Sequence, residues 1–134
     1  KSQLLSNAKD FGLKKDSTIL VIDEIGLLSK VYRYATFAVI GGGFGSGIHN
    51  TLEAVVYGCP VIFGPNYQKF QEATDLLEAQ VAFSIKNKEA FLQISTRLLQ
   101  DSKFLKNSQD RAREYVKKNT GATQLIMEHL LHKK

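Results

Sequence analysis

The sequence predicts an α/β fold, a partial Rossmann-like three-layer α/β/α arrangement around a parallel sheet. Three observations predict it. Short runs of strand formers alternate with segments whose apolar residues recur at i, i+3 and i+4. The segments between successive strands are long enough for crossover helices, which makes neighbouring strands parallel and puts helices on both faces. A glycine-dense turn, residues 41–47, lies between one such strand and one such helix.

Each element has its own warrant. Residues 4–11 place Leu4, Leu5, Ala8 and Phe11 on one helical face, with Gly12 as the stop. Residues 18–22 form a β-branched strand, 27–34 return to helical spacing, and Phe37, Ala38, Val39 and Ile40 make the next strand. After the glycine turn, Leu52, Val55 and Val56 mark a helix over 51–57, with Gly58 near its C-cap. Pro60 opens a strand over 61–63, a helix follows over 68–79, and a further strand covers 81–85. Three helical patterns close the chain, at 88–100, 103–117 and 122–132, and Gly121 parts the last two. Four strands are fewer than the roughly five or six of a doubly wound nucleotide-binding half. No strand is expected ahead of the first helix. The chain therefore reads as a fragment cut from a longer protein, its 134 residues forming a single domain.

Composition narrows the function classes. An apolar fraction of 43% is enough to build a core, and no run approaches the roughly 18 apolar residues of a membrane span. The amino terminus lacks the apolar stretch of a signal peptide, so the chain reads as cytosolic. A single cysteine, Cys59, excludes an internal disulfide and a cysteine-rich metal site, and is best read as a small buried hydrophobe. The net charge is +5, but much of it lies at Lys117, Lys118, Lys133 and Lys134 without interleaved aromatics. That is a solvated helix surface and tail, not a nucleic-acid patch.

The glycine turn carries the chemistry. Open α/β sheets bind ligands at the C-terminal ends of their strands, where free amides at a helix start favour an anion. Glycines there let the backbone approach the ligand. Gly42, Gly43, Ser46 and Gly47 are candidate phosphate or phosphosugar contacts, together with His49, Asn50, Thr51 and Glu53 at the helix entry. Asn66, in the rigid turn Gly64-Pro65-Asn66, is a candidate contact to a base or sugar. A dinucleotide fingerprint fits poorly, because Gly45-Ser46-Gly47-Ile48-His49-Asn50 ends in Asn and no acidic residue closes the next strand. A P-loop fits no better, since Ile48-His49 replaces its Lys-Ser/Thr. Structural roles stand beside these. Asn50 and Glu53, three apart, have the spacing of a helix cap with its capping-box partner. His49 fits a packed helix-entry residue, and Lys69 and Gln71 read either as exposed helix-start residues or as contacts to an anion. Asp23 and Glu24, at a strand end, fit turn chemistry as well as a ligand role.

These residues resemble a known family. Gly41-Gly42-Gly43-Phe44, then Gly47-Ile48-His49-Asn50-Thr51-Leu52-Glu53-Ala54, then Gly58, Pro60-Val61-Ile62-Phe63-Gly64-Pro65-Asn66 and Phe70 are similar to the C-terminal half of 3-deoxy-D-manno-octulosonic acid (Kdo) transferases. The similarity covers about residues 18–85, with Ile48 where the family has a second glycine and Leu27 where many members have Glu. The resemblance implies the C-terminal nucleotide-sugar-binding domain of a GT-B glycosyltransferase, residues 1–134, without the N-terminal acceptor domain. It implies CMP-Kdo as donor and a lipid A precursor as acceptor in lipopolysaccharide biosynthesis. It implies no metal or cofactor, a catalytic base outside this chain, and a place on the cytoplasmic face of the bacterial inner membrane. The fragment alone is then expected to bind without turning over, and to associate, as a homodimer for instance. Three other functions stay open: a GT-B domain for a UDP- or GDP-sugar, a non-catalytic nucleotide-binding module, and a basic module for lipid headgroups.

Overall fold

The computed structural model describes residues 1–131, except the side chains of Phe11 and Thr123. Strand β1 (Ser2–Leu4) pairs in parallel with β2 (Ile19–Val21), placing Gln3 opposite Leu20. Strands β3 (Ala38–Ile40), β4 (Val61–Phe63) and β5 (Ala82–Ser84) form a second parallel sheet in that order. Val39 stands opposite Ile62, and Ile62 opposite Phe83. The helices are α1 (Leu5–Phe11), α2 (Leu28–Val31), α3 (Leu52–Val55), α4 (Gln71–Glu78), α5 (Lys88–Gln100), α6 (Ser102–Asn119) and α7 (Ala122–Leu131). A 3-10 turn, Tyr32–Tyr34, continues α2. Among the described residues no helix is long and apolar enough to cross a membrane.

The centre of the fold is β4, whose three residues are all buried. A strand with both faces covered reads as a continuous apolar run, and Val61-Ile62-Phe63 is one. Alternation sends the side chains to opposite faces. Val61 and Phe63 join a core with Val55, Leu76 and Ala112. Ile62 joins another with Ile85 and Leu98, against which Phe91 and Phe104 pack. Burying each such side chain is worth about 1.5–3 kcal/mol, so β4 anchors both layers. The long helices behind the sheet start on side-chain caps. Asn87 Oδ1 accepts from the Ala90 amide and Asp101 Oδ1 from the Phe104 amide, each at 2.9 Å.

The amino terminus corrects the sequence reading. The first helix was expected to start the chain with no strand before it, yet β1 precedes α1, and the described residues hold five strands in place of four. The reason is length. Ser2-Gln3-Leu4 offers one apolar residue in three, too little for a period of two to show, and Leu4 passes directly into the helix as its N-cap. What stabilises β1 is a buried polar link. Gln3 is 7% exposed, its Nε2 donates to the Gly12 carbonyl at 2.9 Å, and its Oε1 accepts from the Lys14 amide at 3.0 Å.

Asp23 and Glu24 turn out to serve α1. Asp23 accepts from the Ser6 amide at 3.1 Å and from the Ser6 hydroxyl, and Glu24 pairs with Lys9 at 2.6 Å. The Ser6 hydroxyl, and then the Ser6 amide, hold the Asp23 carboxyl below its ordinary value. A carboxyl depressed on folding stabilises above its unfolded pKa, near 4, and loses that stabilisation as pH falls through the folded value. Acidification below about pH 4 should therefore loosen the α1 amino terminus before the capped α5 and α6. Amide exchange from Ser6 to Lys9 reads this directly, and Asp23→Asn should remove the pH dependence. Exchange there that is equally fast at neutral pH in the parent and in Asp23→Asn would contradict it.

Candidate functional site

The glycine turn is shaped by its own backbone. Gly42 adopts a φ of +86°, and a Cβ on it would lie 2.1 Å from the Gly47 carbonyl oxygen. The Gly42 carbonyl accepts from the Gly45 amide at 2.8 Å and the Gly47 amide at 3.3 Å, closing a compact loop. Gly43 is buried, with Gly64 backbone 2.6 Å from where its Cβ would stand. The turn after β3 and the turn after β4 are thus packed backbone to backbone. Two hydrogen bonds pin them together: the Asn66 amide to the Gly43 carbonyl at 2.9 Å, and Asn66 Nδ2 to the Gly45 carbonyl at 2.8 Å. Among the described residues nothing accepts from the amides of Phe44 and Ser46. These are donors at a strand's C-terminal edge, open to an anion.

On one flank of the turn lies a groove of about 670 Å³, walled by β3, α2 and Tyr32, with His49, Asn50 and Glu53 at its polar end. The His49 ring stands beside Gly41, its Cδ2 3.3 Å from where a Cβ there would be, and its amide donates to the Gly41 carbonyl at 3.1 Å. Asn50 Oδ1 accepts from the Leu52 amide at 3.0 Å, while Asn50 Nδ2 donates to Glu53 Oε1 at 3.1 Å. Asn50 thus makes an Asx-type turn ahead of the helix, whose N-cap is Thr51 without a side-chain cap bond. A capping box would return Glu53 to the Asn50 backbone amide; here the carboxylate meets the Asn50 side chain and is exposed to the groove. Tyr32 lines the same groove, and burial, then the Glu53 charge, raise its hydroxyl above its ordinary pKa. In the sequence Tyr32 falls within the helical spacing of 27–34, where it reads as helix packing.

On the other flank Ser46 and Asn66 line a smaller cavity with Lys69 and Phe70. The structure therefore divides the sequence candidates. His49, Asn50 and Glu53 line the groove, and Ser46 and Asn66 the second cavity. Gly42, Gly43 and Gly47 shape the crest between them. Thr51 lines neither: it is 1% exposed, and its Oγ1 is buried without a hydrogen-bond partner among the described residues. Helix α3 is also shorter than the expected 51–57, because the chain turns after Val55 toward Gly58 at φ +73°. Four residues give little dipole, so the pull on an anion rests on the free turn amides. Cys59 is 2% exposed, and burial lifts its thiol to about 11, which keeps it an unreactive core residue.

No protein-family model matches the chain. Sequence relatives do. It is 33% identical over 115 residues to the 3-deoxy-D-manno-octulosonic acid transferase of Aquifex aeolicus, covering 80% of this chain and 32% of that protein. It is 33% identical over 135 residues to the Rickettsia typhi transferase of the same name, covering 96% of this chain and 28% of that protein. The chain is homologous to part of these Kdo transferases. It spans at most about a third of the length of these relatives. Its fold matches the crystal structure of the C-terminal CMP-Kdo binding domain of WaaA from Acinetobacter baumannii, with a TM-score of 0.73 at 19% identity. That match covers 86% of this chain and 60% of the other, and it agrees with the parallel α/β class read from the sequence.

Proposed function

We propose that this chain is the donor-binding part of a Kdo transferase and takes CMP-Kdo at the turn from Gly41 to Glu53. The observation that carries the reading is the placement of Glu53 and His49 on one side of a crest whose Phe44 and Ser46 amides are free. A fixed carboxylate suits the paired hydroxyls of a ribose, which donate to it. The donor phosphate lies over the free amides, which stabilise the charge that develops as the bond from the sugar to CMP breaks. The acceptor hydroxyl attacks the sugar and loses its proton to a base outside this chain. The reading takes a lipid A precursor as acceptor and the cytoplasmic face of the inner membrane as the place where the whole protein acts. Homology to named Kdo transferases over most of the chain supports this reading over UDP- or GDP-sugar use.

Titration with CMP, UMP, GMP and AMP, followed by amide shifts, tests the site. CMP should bind in preference and move amides from Gly42 to Glu53; silence at millimolar CMP overturns the proposal. Glu53→Ala should weaken CMP by about 1–3 kcal/mol, the cost of a lost charged hydrogen bond. Its melting temperature should hardly move, because Glu53 bonds no backbone amide. The reverse pattern, unchanged binding with lower stability, assigns Glu53 to the helix entry instead.

A further inference from the structure

The second cavity, on the flank of the crest away from Glu53, has a volume of about 360 Å³ and is lined by Gly45, Ser46, Asn66, Gln68, Lys69 and Phe70. Its walls are held in place. Asn66 Nδ2 is committed to the Gly45 carbonyl, Gln68 Nε2 donates to the Pro65 carbonyl at 2.8 Å, and the Phe70 ring packs where a Gly47 side chain would stand. Of the side chains that can donate here, the Ser46 hydroxyl and the Lys69 ammonium make no hydrogen bond or ion pair among the described residues, while Asn66 and Gln68 already donate to backbone carbonyls. Among the described residues no carboxylate lines the cavity. Its chemistry is therefore that of an anion acceptor, an ammonium and a hydroxyl donor beside a rigid backbone.

We infer that this cavity receives the carboxylate of the donor sugar, with Lys69 and Ser46 as its ligands, while the nucleotide occupies the opposite flank. The inference rests on the CMP-Kdo reading and adds a residue that distinguishes this acidic sugar from neutral ones. CMP-Kdo carries two separate negative charges, a phosphodiester and a sugar carboxylate. The turn offers two separate places for them, the free amides of its crest and the Lys69 cavity beside it. A neutral hexose would leave the exposed ammonium to water and gain nothing from it, so the acid binds there more tightly.

The two levels are separated by titrating the chain and its Lys69→Ala and Lys69→Arg variants with CMP and with freshly made CMP-Kdo. Lys69→Ala should weaken CMP-Kdo roughly tenfold, as a charge-assisted bond at an exposed site does, and leave CMP unchanged. Lys69→Arg should retain most of the CMP-Kdo affinity. Equal weakening of both ligands moves Lys69 to the phosphate and overturns the inference, leaving the nucleotide site standing. No change for either ligand makes Lys69 a solvated helix-entry residue, which also overturns it. Failure of both ligands to bind the parent chain overturns the nucleotide site and this inference together.

Discussion

Gly64→Ala should be among the most damaging small substitutions in the chain, costing about 3 kcal/mol or more. A Cβ on Gly64 would lie 2.5 Å from both the carbonyl carbon and the carbonyl oxygen of Gly43, and 2.8 Å from the Phe44 ring. The ring can rotate, but the carbonyl belongs to a loop that is closed on itself at Gly42 and tied to Asn66. Relief requires the turn after β3 to separate from the turn after β4, which breaks the crest and both flanking cavities at once. Binding of CMP and stability should therefore fall together. Gly45→Ala is the control, since its Cβ would meet only the Gly42 carbonyl oxygen, at 3.6 Å. Denaturant unfolding of the two variants side by side gives the answer. A Gly64→Ala midpoint equal to that of the parent would mean that the two turns are not packed as described.

This contact also shows what a sequence can and cannot disclose. The glycine density of 41–47 and the Gly64-Pro65 pair are each visible along the chain. Their partnership, across some twenty residues, is not, because periodicity reports only what lies on one element. Strand β4 was legible, since burial on both faces leaves an unbroken apolar run. Strand β1 was not, because what anchors it is the amide of Gln3 bridging Gly12 and Lys14, a polar solution with no hydrophobic signature. The spacing of Asn50 and Glu53 suggested a capping box, and the structure forms only a contact between the two side chains. Spacing could not tell a carboxylate that reaches the backbone from one that stops at the Asn50 side chain and faces a groove. The same holds for Lys69, which shares a cavity with Ser46, a residue of another turn.

The isolated chain should associate, and the outer edge of β3 should be where it does so. Among the described residues no strand pairs with that edge. Val39, in the middle of β3, is 56% exposed, and the groove beside it is walled by Leu28, Val31 and Phe37. Strand β2 is likewise bare, with Ile19 at 58% and Leu20 at 43% exposure. An unpaired apolar edge offers its amides and carbonyls to another chain. A second copy meets that demand through an isologous pairing of β3 with its own counterpart. Sedimentation of the chain at tens to hundreds of micromolar should show a dimer or larger species. Val39→Lys, which puts a charge on the edge without touching the buried Ala38 and Ile40, should return it to a monomer with its melting temperature nearly unchanged. A parent chain that stays monomeric across that range refutes the association. A dimer that survives Val39→Lys moves it away from β3, toward the bare β2 strand.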